Sequence, residues 1–300
     1  MAAVFFFFIM VFSIFASGDK SPWKLSSSAD LTFTLNSYSE GWKGKESGSL
    51  LWVAQTKSLA SKQLTDRLHN ESTLKLAFGQ TKVQDRETKR WSAPQKSTDV
   101  VDLQSVLHLK LNGLGDPFFS LRVIGQFYDI RDSNNIRYGN PITATKTFGL
   151  AKELIKRPDM NWNIRLGGAM RSNIDRNALI YEEIEGIKTA TGTSTSLITD
   201  AGTEMVSKFK MKRDDWLTLA GKLTLYKALL RPGTQNNNDW LYPDISYDQT
   251  LSINVTKHIV VNHALQLLYD REKNPDPHFR QTLSAGLSVS FSNKHFKKGK

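Results

Sequence analysis

Eight basic residues, Lys75, Lys110, Arg122, Arg165, Arg171, Lys208, Lys210 and Lys222, stand in segments where charged and apolar residues alternate. Successive side chains of a strand point to opposite faces. In NWNIRLGGAMR and EMVSKFKMK the cations therefore gather on one side, with Leu, Ile, Met and Phe on the other. Asp30, Glu71, Asp102, Glu204 and Asp248 share the polar face. Two kinds of chemistry follow. Excess positive charge lining a channel favours anions. Alternatively, opposite charges pair across neighbouring strands and plug the interior, and this is the favoured reading for a barrel of moderate size. Either way, so many inward charges must be paired or wet.

Signals for catalysis are weak. None of the six histidines has a serine two residues away on the same strand face, the spacing of the outer-membrane phospholipases. Asp276 and His278 have the two-residue spacing of a rim-sited barrel hydrolase. A proline-rich loop explains that spacing equally well, and a second acidic pair would be needed to activate water. The reading is non-enzymatic, with a loop-rim hydrolase and a secreted soluble β-sandwich as the alternatives. No cofactor or metal is expected. The chain has no cysteine, and His108, His258, His263 and His295 fall on separate segments, so no local ligand set exists. The glycine pairs Gly113/Gly115 and Gly167/Gly168 lack the strand-to-helix context of a phosphate loop.

The elements that would position the inward residues are strands. Period-2 alternation marks about twelve segments between Trp23 and Ser292. A clear example is the last, QTLSAGLSVSFS, where Leu283, Ala285, Leu287, Val289 and Phe291 oppose Thr282, Ser284, Gly286, Ser288 and Ser290. One segment, 143–155, is ambiguous, because AKELIK also fits a helical turn. Most segments reach the roughly nine to eleven residues that a tilted membrane strand needs. Connections alternate in length. NGLGDP, IKRPDM, MKRDDW and VTKH are short, whereas 82–97, 131–141, 172–199, 232–243 and 271–279 read as long polar loops. The pattern predicts an all-β, up-and-down antiparallel transmembrane β-barrel of about twelve strands, with both termini on the short-turn side. Trp23, Trp52, Trp162, Tyr247, Tyr269 and Phe291 lie toward strand ends, where aromatic girdles sit.

Targeting and composition agree with that architecture. Residues 1–18 carry an apolar run from Val4 to Phe15 followed by Ala16, Ser17 and Gly18, the form of a secretory signal peptide, although its start has no Lys or Arg. The barrel would occupy 19–292 and a basic tail 293–300. Apolar residues make up 39% of the chain, as expected where the apolar surface is a belt one residue deep. The net charge of +11 is carried by scattered Lys and Arg without a nucleic-acid motif, so nucleic acid is not an expected partner. Outer-membrane lipid, lipopolysaccharide and small anions are better candidates.

WKLSSSADLTFTLNSYSEGWKG, LKLAFGQTK, DPFFSLRVIGQFYD and YDREKNPDPHFRQTLSAGLSVSF resemble a family of uncharacterised single-chain bacterial outer-membrane barrels known only as a domain of unknown function. A looser likeness extends to the salt-induced outer-membrane proteins. The resemblance covers nearly the whole mature chain and implies a location in the outer membrane and a fold, with no established reaction. The last strand is also similar to the C-terminal signal read by the outer-membrane assembly machinery, through Ser284, Gly286, Val289 and Phe291. The tail NKHFKKGK departs from that signal, since such barrels end at the terminal aromatic.

Overall fold

Strand-forming alternation runs through nearly the whole described chain, and the sheet it builds closes on itself. The computed structural model describes residues 23–37, 47–111, 113, 115–132, 135–184, 187–231, 239–272 and 274–292. The expected signal peptide and basic tail lie outside them. The strands are β1 Lys24–Asn36, β2 Ser49–Gln63, β3 Leu68–Val83, β4 Gln95–Leu109, β5 Asp116–Gly125, β6 Tyr128–Asp129, β7 Arg137–Tyr138, β8 Ile142–Lys156, β9 Met160–Ile184, β10 Ile187–Arg213, β11 Leu217–Leu230, β12 Asp244–Asn254, β13 Ile259–Asp270 and β14 Asn274–Ser292. Twelve of them form one closed antiparallel barrel, each pairing with its neighbours in chain order; β6 and β7 make a separate small hairpin between β5 and β8. Closure is made by β1 against β14, from Ser26↔Ser292 to Phe33↔Ala285. A single closed sheet excludes the two-sheet sandwich.

Register fixes which face is which. Leu35, Phe148, Leu150, Leu166, Leu283 and Leu287 are all more than half exposed and share the outward face. Contacts between strands that are not neighbours occur on the other face. Thr147 on β8 donates to Glu204 on β10 at 2.9 Å, and Arg280 on β14 donates to Thr98 on β4 at 3.0 Å. That face surrounds the lumen. Apolar packing there is confined to small groups, Val106 with Phe118 and Ala151, and Ala169 with Tyr226 and Ala228.

One ambiguity is resolved, and two segments differ from the sequence expectation. The ambiguous stretch 143–155 is the strand β8, because its Thr and Phe alternate against β5 and β9. The polar stretch 172–199 is not a loop: β9 and β10, of 25 and 27 residues, stay paired through it. At about 3.3 Å per residue they run well past any bilayer. Its β-prone Thr, Ser and Ile hold the ladder even where no apolar face is needed. Likewise 271–279 falls mostly within β14, with Asn274 paired to Asp270 across a tight turn.

Gly286 has a packing role beside its place in the expected assembly signal. A Cβ there would stand 2.3 Å from the Leu31 carbonyl oxygen and 2.8 Å from Thr32 Cα, at the seam between β14 and β1. Gly286→Ala should therefore cost about 1–3 kcal/mol of barrel stability, read by denaturant unfolding in detergent. Gly168→Ala, with nothing within 4 Å of the added carbon, should be close to neutral.

Candidate functional site in the lumen

The inward basic residues form a belt because of where they sit along their strands. Lys208, Arg165 and Lys222 each lie five residues from the short-turn end of their strand (Arg213, Met160, Leu217), Lys57 and Arg122 six (Gln63, Asp116), and Lys75 seven (Leu68). Asp102, seven residues before Leu109, shares this level. Lys110, just past the end of β4, and Lys210 are both exposed near the short-turn mouth. Arg171 sits toward the long-loop side. Of the eight predicted cations, five (Lys75, Arg122, Arg165, Lys208, Lys222) thus share one level. The structure adds a sixth, Lys57 on β2, which the sequence reading did not place on the polar face.

Pairing is sparse. Arg122 donates to both carboxylate oxygens of Asp102, at 2.9 and 2.8 Å, and Arg171 forms an ion pair with Asp244. Among the described residues Lys57, Lys75, Arg165, Lys208 and Lys222 form no ion pair. Three other inward acids are held by neutral donors: Gln55 donates to Asp30 at 3.3 Å, Gln266 to Asp248 at 2.7 Å and Thr147 to Glu204 at 2.9 Å. Cross-strand neutralisation, the expected plug, therefore accounts for two of the eight cations. Lys57 and Lys75 are exposed although they face inward, so the lumen beside them is open to water.

Layers above and below narrow this space. Toward the short turns, His69 and His108 are directly opposed on β3 and β4, and the His108 ring lies 6.2 Å from Phe118. Toward the long loops, the Arg171 guanidinium lies 3.5 Å from the Tyr226 ring centre, and the Tyr226 hydroxyl donates to Asp200. Trp240, in the connection between β11 and β12, packs on inward-facing Ala169, Tyr226 and Ala228. Trp240 thus reaches the inner face of the wall, and Arg271 steadies its neighbours by donating to Asp239 at 2.9 Å and lying 4.0 Å from the Tyr242 ring centre. Neither Trp240 nor Tyr226 was singled out by alternation alone, since a loop tryptophan carries no period.

The predicted rim pair is not assembled into a site. Asp276 and His278 lie on β14 and are exposed, and among the described residues neither forms an ion pair. No group of three or more potential metal ligands occurs among the described residues.

A second charged cluster lies at the long-loop end, just beyond the last β8–β9 pair, Ile142↔Ile174. Asp129 and Asp175 are bridged by Arg131 (2.8 Å to each) and by Arg137 (2.5 and 2.6 Å), and Asn140 donates to Asp175 at 2.8 Å. Together with Tyr181 to Asp132 at 2.6 Å, these contacts fasten the β6–β7 hairpin to the extension of β9. Burial pushes the Asp129 carboxyl up, but hydrogen bonds and charge from Arg131, with help from Arg137, outweigh it and hold the group down to about 2. Asp175 shifts down for similar reasons: burial opposes, and Asn140 and Arg131 prevail.

The fold and lumen define a class: a closed, twelve-stranded antiparallel β-barrel with an apolar exterior and a charged interior. No protein-family profile and no curated protein matches the chain. Among solved structures it is similar to an outer-membrane channel of Pseudomonas putida F1, at 14% identity and a TM-score of 0.44, over 92% of this chain and 98% of that one. It is also similar to the translocator domain of the autotransporter NalP from Neisseria meningitidis (10% identity, TM-score 0.38, 97% and 95% covered). A third is OprB of Pseudomonas putida (10%, TM-score 0.30, 90% and 93%). Similarity at this level identifies neither a family nor a solute.

The loop clamp has a definite pH dependence. Its carboxylates are depressed in the folded state, so its contribution is full above the unfolded carboxylate value of about 4 and fades as pH falls toward 2. Protease cleavage within 126–141 should stay slow from pH 8 to 5. Asp129→Asn should accelerate it at pH 7, by weakening local closure by about 3 kcal/mol. Equal cleavage of variant and parent would exclude the clamp.

Proposed function

We propose that the protein is a non-enzymatic outer-membrane β-barrel that passes small hydrophilic solutes with a preference for anions. One observation carries this reading: inward-facing Lys57 and Lys75 are exposed to water, and they belong to a belt in which five cations have no ion-pair partner among the described residues. Fixed positive charge in a narrow aqueous passage lowers the barrier for anions and raises it for cations. The outer face supports a lipid setting. Its exposed Leu and Phe would strand several hundred Å² of apolar surface in water, while barrel closure leaves no strand edge to be satisfied by solvent.

In this reading, residues 1–18 direct export, and outer-membrane lipid and lipopolysaccharide cover the exterior. The assembly machinery engages β14 through Ser284, Gly286, Val289 and Phe291. Ser284 and Gly286 face the lumen by register, opposite Asn262 and Val260, and Val289 is outward and 44% exposed. Trp162, outward near the short-turn rim with its indole N–H donating to Ser207 at 3.0 Å, fits an interfacial girdle position.

Planar-bilayer recording tests the pore. Stepwise conductance is expected, with a reversal potential in a potassium chloride gradient on the chloride side of zero; cation preference or silence would sink the reading. Leu150→Arg, placing charge on an outward position that is 59% exposed, should cost about 2–4 kcal/mol of membrane stability if that face meets lipid.

A further inference from the structure

Two pairs of like charges stand directly opposed in the lumen wall. Lys57 is the register partner of Lys75 on β2 and β3, and Lys208 is the partner of Lys222 on β10 and β11. Such pairs repel and weaken the ladder that carries them. The two pairs also face each other. Lys57, from one wall, lies within electrostatic reach of Lys208 on the other, and Lys208 is within reach of Arg165 and Arg122 as well.

Arg165 completes the arrangement. It is 5% exposed, its guanidinium lies 5.3 Å from the Phe118 ring centre, and its buried Nη2 has no hydrogen-bond partner. A desolvated guanidinium donor is costly to leave unmade. The acids in this region do not supply the missing acceptors. Asp102 is engaged by Arg122, Asp248 by Gln266 and Glu204 by Thr147. Glu71, closer to the short turns, lies within reach of Arg165 and Lys208 without forming an ion pair with either. Carboxylates of the wall lie within electrostatic reach of these cations, but among the described residues five of the six belt cations form no ion pair with them.

We propose that this belt is a binding site for a solute carrying two or more oxyanion groups, carboxylate or phosphate. One group is taken by Lys208 and Arg165, the other by Lys57 and Lys75. A planar guanidinium and flanking ammonium groups suit such oxygens, since charge-assisted hydrogen bonds to them are short and strong. The separation of the two lysine pairs favours ligands that reach both walls. Access of the solute from outside rests on the pore reading above; the site itself does not.

The test uses the full-length protein in detergent, titrated calorimetrically with citrate, tripolyphosphate and acetate, with the same ions as blockers of the chloride current. Citrate or tripolyphosphate should bind at least tenfold tighter than acetate, and the stronger of the two identifies the oxyanion class. Lys57→Gln and Lys208→Gln should each weaken binding at least tenfold, while Lys210→Gln at the mouth changes it less than twofold. Relief of repulsion should leave the two belt variants melting at or above the parent temperature, which separates lost binding from misfolding. Multivalent ions no tighter than acetate, or affinities unchanged in the belt variants, would overturn the site. A silent bilayer with intact titrations would remove the pore and keep the site; a chloride current without multivalent binding would do the reverse.

Discussion

Backbone hydrogen bonding across the β1–β14 seam is the constraint from which the other features of this molecule descend. A sheet of twelve antiparallel strands left open exposes two ladders of unpaired N–H and C=O groups. In hydrocarbon each would cost several kcal/mol. Pairing β1 with β14 removes both edges at once. It also turns the two faces that the pleat already separates into an exterior and a lumen. Glycine at 286 belongs to this constraint. The backbones at the seam come too close for a Cβ there, so the residue that closes the ladder is chosen by space and not by chemistry.

Given that division, the lumen wall is not built for maximal stability. Two directly opposed lysine pairs and a buried guanidinium nitrogen without a hydrogen-bond partner each oppose folding. The ladders around them absorb the cost, since β10 pairs with β9 from Ile187 to Met211 and with β11 from Ala201 to Arg213. Hydrophobic packing contributes little here: the two inward apolar clusters are of three residues each, one with Trp240 added. Stability is carried by backbone pairing, which is indifferent to side-chain identity. That indifference leaves the inward positions free to hold charges a packed core would reject.

Much of this was legible in the sequence, and the limits have physical causes. Alternation identified the barrel, the strand number and the inward faces of Arg122, Arg165, Lys208 and Lys222, because period 2 is imposed by the pleat itself. The β9–β10 arm was read as loop, since outside an apolar layer both faces are polar and alternation disappears while β-propensity persists. Lys57 escaped because β2 mixes Leu59 and Lys57 on its inward face. Hairpin geometry could have found it: Lys57 and Lys75 lie six and seven residues from the strand ends that flank the 64–67 turn, much as Lys208 and Lys222 each lie five from those that flank 214–216. What no period encodes is contact across the lumen. Trp240 on Tyr226, or Arg280 on Thr98, depends on barrel width and shear, which a one-dimensional pattern does not hold.

The two charged clusters then separate by what answers their charge. At the long-loop end, Arg131 and Arg137 meet Asp129 and Asp175 in full, and the result is a fastened hairpin. In the belt, comparable charge density meets carboxylates already committed to Gln55, Gln266, Thr147 and Arg122. A charge satisfied within the chain fixes structure; a charge left unsatisfied on a wall open to water stays available to whatever enters. The same residue types therefore anchor a loop in one place and present a receptive surface in the other, and the difference lies in which partners the fold has already used.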